Sequence, residues 1–249
     1  RTMLGALAST KDVGIYDQAL KLVNILLTLV TSLGSVMLPR VANLLATGDH
    51  RAVNKMHEMS FLIYNLVIFP IMAGILIVND DFVQFFLGQD FQDARYAITI
   101  MIFRMFFIGW TNIMGIQILI PHNKNKEFMI STTAPAIISV GLNLLFLPKL
   151  GYIGAAIVSV LTEALVWCIQ LYFTRVYLKE VHILGSMTKI ALASAIMYGI
   201  LLGSKTVIHF SPTINVFVFA VLGGIIYLFA ILSLKVVDVK ELKQIIRKN

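Results

Sequence analysis

Charge is scarce in this chain. Of its 249 residues, 13% are charged and 58% hydrophobic, and the mean hydropathy is +0.86. A soluble domain usually carries about 25% charged residues, so one oily core in a water-soluble protein does not account for this composition. Long uncharged blocks recur instead, as transmembrane helices require. Cysteine is nearly missing: the single Cys168 lies inside an apolar run. That excludes a disulfide framework and a cysteine metal cluster, and Cys168 reads as an ordinary buried or lipid-facing residue. Long connections are also missing, none exceeding about twenty residues. A membrane enzyme acting on glycans or lipids often carries a sizeable extramembrane domain or catalytic loop, and there is no room for one. HExxH, GxSxG and P-loop patterns are absent. The five histidines are scattered, four in or beside expected loops and His209 near the outer end of an expected span. Catalysis is not expected, nor a metal or other cofactor. The net charge of +7 is neither gathered on a basic helix nor interleaved with aromatics, so nucleic acid is not an expected partner. In polytopic proteins such charge more often decorates cytoplasmic loops.

What is present is a succession of apolar runs, each near the ~20 residues needed to cross the hydrocarbon core. Seven spans are expected, at 20–38, 59–78, 97–120, 128–147, 151–174, 187–203 and 213–234. The fourth and seventh carry no charge, and Lys189 and Lys205 leave the sixth a short clean stretch. The class is therefore all-α, a polytopic membrane helical bundle. Connections at 39–58, 121–127 and 175–189, together with the tail 235–249, hold thirteen basic residues against six on the opposite side. Positive residues favour the cytoplasm, so the N-terminus of this chain is expected outside and the C-terminus inside. The opening RTMLGALAST has neither an initiator Met nor a signal-peptide pattern, and suggests a chain beginning part-way through a longer protein.

Polar residues in membrane helices are costly and usually face a bundle interior or a water-filled cavity. In the first span Asp17, Lys21, Asn24, Thr28, Thr31 and Ser35 recur every three or four residues, which at ~100° per residue puts them on one face. In the third, Arg104, Thr111 and Gly115 share a face with Asn112 beside it, and Gln117 points elsewhere. The fourth aligns Thr132, Ser139 and Asn143, with Pro135 near enough to kink the helix. Ser159, Thr162, Glu163 and Gln170 align in the fifth. For any one Ser, Thr or Asn, gluing helices together is the plainer explanation. A stripe running nearly the whole membrane depth favours a polar pathway, as at the repeat interfaces of transporters. Arg104 lies about 10 Å below the outer surface by residue count, where snorkelling competes with a site role; the same holds for Lys21. Glu163 lies near mid-membrane and is open to several roles: coupling carboxylate, sugar contact or partner of a basic residue. Pro70, Gly74 and Pro135 are candidate flexion points.

Four phrases carry a family resemblance: TMLGALASTKDVGIYDQALKL at 2–22, SLGSVMLPRVANLL at 32–45, NIMGIQILIPHNKNKEF at 112–128 and LNLLFLPKLGYIGAAIVSVLTEALV at 142–166. As a set they resemble the Wzx-type polysaccharide flippases of the multidrug/oligosaccharidyl-lipid/polysaccharide exporter superfamily, over roughly residues 2–175. The resemblance implies the second half of a fourteen-helix transporter fold. Residues 1–178 would be the second bundle lacking its first helix, and 179–249 two extra C-terminal helices with a basic cytoplasmic tail. It further implies flipping of undecaprenyl-diphosphate-linked oligosaccharide repeat units from the cytoplasmic to the outer leaflet of a bacterial inner membrane, for O-antigen, capsule or exopolysaccharide. Substrate contacts are then expected at Arg104, Lys21, Asn24, Thr28, Thr31, Thr111, Asn112 and Glu163. Expected partners are the lipid-linked oligosaccharide, membrane lipids, a coupling ion (proton or sodium) and polysaccharide polymerase machinery. Three alternatives stay open: a cation-coupled multidrug exporter of the same superfamily, a membrane-bound polymerase or acyltransferase, and a non-functional gene fragment.

Overall fold

A computed structural model describes residues 2–207 and 210–236; within them the side chains of residues 29, 30 and 32–36 are not described. Ser35 of the first polar stripe, His209 and the basic tail 237–249 thus lie outside what is described. Seven α-helices follow in order: α1 Thr2–Leu7, α2 Thr10–Ala46, α3 His50–Leu87, α4 Ala94–Asn112, α5 Asn125–Thr174, α6 Leu184–Lys205 and α7 Pro212–Ser233. A π-helical segment, Ile113–Leu119, continues α4.

Local chemistry sets the helix starts and stops. Ser9 opens α2 with a capping box: its Oγ accepts from the Asp12 amide at 3.1 Å, and the Asp12 carboxylate accepts from the Ser9 amide at 3.1 Å. Asp49 caps α3 by accepting from the Ala52 amide at 3.0 Å. Pro212 occupies the first turn of α7, where its missing N–H costs nothing.

The expected spans are recovered with one revision. Helices α3, α4 with its π continuation, α5, α6 and α7 are each long and apolar enough to cross a membrane, and α2 encloses the first expected span. The fourth and fifth spans are the two arms of α5, joined without a loop. Gly151 breaks the helix, with φ 51° and ψ −130°, a conformation open almost only to glycine. The break is a hairpin. Ser131 and Gln170, 39 residues apart, hydrogen-bond at 3.2 Å, whereas a straight helix would separate them by ~58 Å. The revision concerns length: α3 begins at His50 and has 38 residues, so His57 belongs to a helix and is buried, not beside a loop.

The main core cluster includes Ile15 and Val23 of α2, Phe61 and Ile68 of α3, Met101 and Met105 of α4, Met197 of α6 and Phe219 of α7, and a smaller one joins Leu4, Leu147 and Ala155. Outward faces are apolar too, as at Ile137, Leu145, Ile225 and Phe229. That suits a lipid environment, and the molecule is a polytopic helical membrane bundle.

Pro70 sits inside α3 and cannot donate to the carbonyl of Leu66. The Tyr227 hydroxyl of α7 donates to that carbonyl at 2.8 Å instead. Pro70 and Gly74 also line an apolar cleft of about 320 Å³ between α2, α3, α6 and α7. At the expected outer end, Lys205 Nζ donates to the Ile77 carbonyl at 2.6 Å, and Asn215 donates to Asp81 at 3.1 Å. These bonds tie α6 and α7 to α3.

Candidate functional site

A polar cavity of about 370 Å³ lies between α1, α2, α4 and the two arms of α5. Arg104 enters from α4, ten residues after its start at Ala94, and Glu163 from the second arm of α5, twelve residues after Gly151. Those distances are ~15 and ~18 Å along their helices, about half the ~30 Å hydrocarbon depth. Arg104 Nη2 donates to Glu163 Oε1 at 3.1 Å, and Nε donates to the same oxygen at 3.3 Å. The two side chains keep 19% and 22% exposure. The guanidinium therefore turns inward to α5 and does not reach toward the headgroups. Its third nitrogen, Nη1, is buried without a protein acceptor.

Hydroxyls and an amide line part of the remaining wall, at Ser139, Asn143, Ser159 and Thr162, beside apolar Leu20, Leu147 and Val158. Each polar side chain is anchored to its own helix, as in Thr162 Oγ1 donating to the Val158 carbonyl at 2.7 Å and Asn143 Nδ2 to the Ser139 carbonyl at 2.7 Å. The hydroxyl hydrogens are thus occupied, and the oxygen lone pairs remain to accept from a ligand. The two arms of α5 meet here because of the Gly151 hairpin, and α2 fastens it. Asp12 Oδ1 accepts from the Tyr152 amide at 3.2 Å, while a side chain at Gly151 would meet that oxygen at 2.7 Å. Hydrogen bonding, chiefly from the Ser9 hydroxyl, holds the Asp12 carboxyl below its ordinary value.

Of the residues expected at the site, only Arg104 and Glu163 line this cavity. Lys21, Asn24 and Thr28 lie exposed on α2 and Thr31 partly so, on the face opposite buried Ile15, Ala19, Leu22 and Val23. Thr28 Oγ1 donates to the Asn24 carbonyl at 2.8 Å and Thr31 Oγ1 to that of Leu27 at 3.3 Å. Thr111 Oγ1 donates to the Ile108 carbonyl at 3.0 Å, and Asn112 is partly exposed. Cys168 is exposed.

Beyond Asn112 the 100° count stops applying, because the segment has π-type bonding; the Ile120 amide donates back to the Gly115 carbonyl at 3.1 Å. Gln117 there faces α3, where Ser60 Oγ donates to its Oε1 at 2.8 Å. His57 Nε2 lies 3.3 Å from the Gln117 carbonyl oxygen. Among the described residues, no three His, Cys, Asp or Glu side chains converge as metal ligands would.

Sequence reasoning missed Ser139, Asn143, Ser159 and Thr162 as one group with Arg104, and Asp12 as the residue that fastens the hairpin. The signals were present: an S-x-x-D cap, and polar stripes on the fourth and fifth spans. What was absent was the knowledge that the hairpin faces those two stripes toward α4.

Bundle and cavity define a class, the polytopic helical membrane proteins, and comparison with known proteins bears out the resemblance read in the sequence. Residues 1–96 match a family described as polysaccharide biosynthesis protein. The chain is 20% identical, over 98% of its length and 52% of the relative's, to a probable low-salt glycan biosynthesis flippase of Haloferax volcanii. It is 25% identical, over 70% of its length and 41% of the relative's, to a putative O-antigen transporter of Escherichia coli. Its fold matches that of the lipid II flippase MurJ in an inward closed conformation, with a TM-score of 0.76 and 16% identity over 88% of this chain and 46% of the other. At that identity the likeness is one of fold. The chain spans about half the length of the curated relatives it matches.

Proposed function

We propose that this chain forms one half of a transporter that flips lipid-linked oligosaccharides, undecaprenyl-diphosphate-linked repeat units, from the cytoplasmic to the outer leaflet by alternating access. The observation that carries the proposal is the Arg104–Glu163 pair at mid-depth in a cavity walled by Ser139, Asn143, Ser159 and Thr162. A diphosphate is anionic, and Arg104 supplies a guanidinium with one buried nitrogen still lacking an acceptor. The hydroxyl and amide oxygens are suited to sugar hydroxyls. Lys21, Asn24, Thr28 and Thr31 face outward from this half. Exposed to lipid, such a stripe would be costly; facing a second bundle across a hydrated cleft, it would continue the polar route. The division at 178, the N-terminus outside and C-terminus inside, and the bacterial inner membrane belong to the same proposal, as do Thr111 and Asn112 as substrate contacts.

A cationic-drug exporter would need unneutralised negative charge in its cavity. Here Glu163 is neutralised by Arg104, which disfavours a cationic cargo. The experiment is export of surface polysaccharide by the full-length protein in a strain lacking its own flippase. Arg104→Ala should reduce export at unchanged protein level by tenfold or so, the scale of one charge-assisted hydrogen bond, and Arg104→Lys should restore part of it. Full export by the Ala variant would remove Arg104 from the transport role.

A further inference from the structure

We propose that Glu163 is a built-in competitor for the cargo's phosphate: it occupies Arg104 while the cavity is empty and yields it when an oxyanion arrives. This rests on the reading of the cavity as a diphosphate site. The geometry of the pair is what suggests exchange. A carboxylate that fully matches a guanidinium uses both oxygens in two parallel bonds. Here both bonds, at 3.1 and 3.3 Å, converge on Oε1 alone, and Nη1 is left buried without an acceptor. The pair holds the charge without saturating the donors.

A phosphate has more oxygens than a carboxylate and spreads them tetrahedrally. In a diphosphate, one phosphoryl group can take the Nε–Nη2 edge while the other accepts from Nη1. Both residues line the same cavity wall, so the exchange needs a side-chain rotation and no helix movement. Glu163 retains 22% exposure, which leaves its released carboxylate access to hydration within the cavity.

A placeholder serves two ends in a low-dielectric site. An unpaired arginine at this depth would be strongly destabilising, since removing one partner of a buried pair costs far more than the pair contributes. It also sets selectivity, because neutral or cationic headgroups cannot displace a carboxylate from a guanidinium, whereas a multivalent oxyanion can. Glu163 is then a specificity-determining residue that lowers affinity for every anion and excludes other headgroups.

The test is equilibrium binding of farnesyl diphosphate to the full-length protein in nanodiscs of zwitterionic lipid, with farnesol as the uncharged control. Glu163→Gln should tighten farnesyl diphosphate binding about tenfold and leave farnesol unchanged. Arg104→Gln should weaken diphosphate binding by a similar factor, and the double variant should behave like Arg104→Gln. If Arg104→Gln binds as the parent does, the diphosphate reading of the cavity fails. If Arg104→Gln weakens binding but Glu163→Gln fails to tighten it, the placeholder idea alone is overturned, and Glu163 is a contact or a prop. Should Glu163→Gln not fold, Glu163→Asp answers the same question. A shorter carboxylate reaches Arg104 less well and should tighten binding about threefold, on the same scale; unchanged binding refutes the proposal.

Discussion

Asp12 shows how one carboxylate can serve two helices. Its Oδ2 closes the capping box of α2 and its Oδ1 holds the Tyr152 amide beside the Gly151 break. Because hydrogen bonds lower its pKa in the folded protein, the ionised form is favoured by folding. That stabilisation is complete above the ordinary carboxylate value of about 4 and is lost as pH falls through the lower folded value. Asp12→Ala should therefore lower stability in detergent at neutral pH by about 1 kcal/mol of cap energy, read as a fall in the thermal midpoint. The gap from the parent should close as pH drops below about 4. A constant gap across that range would mean that the carboxylate's charge plays no part. Of the residues facing the cavity, Arg104 and Glu163 were legible from their charge within apolar runs. Ser139, Asn143, Ser159 and Thr162 were legible only as stripes, since hydroxyls serve equally well in holding helices together.

Two helices carry irregularities that their neighbours repair. Pro70 leaves the Leu66 carbonyl without a helical donor, and the Tyr227 hydroxyl replaces it across 161 positions of sequence. An unsatisfied carbonyl within hydrocarbon cannot turn to water. Tyr227→Phe removes one oxygen atom and should lower stability by about 1 kcal/mol or more, read as a fall in the midpoint of thermal unfolding with the far-UV spectrum unchanged. An unaltered midpoint would show that another donor serves Leu66. The π segment after α4 is held in the same way, by Ser60 on Gln117. Nothing in the sequence IMGIQIL announces π bonding, because its apolar residues fit an α-helix equally well. The extra residue becomes visible only where Gln117 meets α3 and Gly115 fits under Phe128 and Gln170 with no room for a side chain.

Seen whole, the bundle buries one face of α2 and exposes the other. The buried face is apolar, and the exposed one carries Lys21, Asn24 and Thr28. Since the chain spans about half the length of its curated relatives, we expect that face to border the cleft toward the other half. In the full-length protein with Cys168 replaced by Ser, cysteines at Thr28 and Thr31 should react with water-soluble maleimides. A cysteine at Ile225, exposed on the apolar face of α7, should stay protected. Protection of Thr28 and Thr31 alike would place the stripe against protein or lipid and remove it from the pathway.

The sequence by itself determined that this is a helical membrane protein, because hydrocarbon admits only long apolar segments whose backbone bonds are internal. It also determined where the helices lie and which residues carry charge within them, since both follow from local composition and period. Only the tertiary structure decided what those charges meet. Arg104 and Glu163 are 59 residues apart in sequence and 3.1 Å apart in space, and no periodicity within one helix encodes a pairing between two. The Gly151 hairpin decided it: by folding α5 back on itself, it faced two polar stripes into one cavity and turned an arginine that could have snorkelled toward a carboxylate at the same depth.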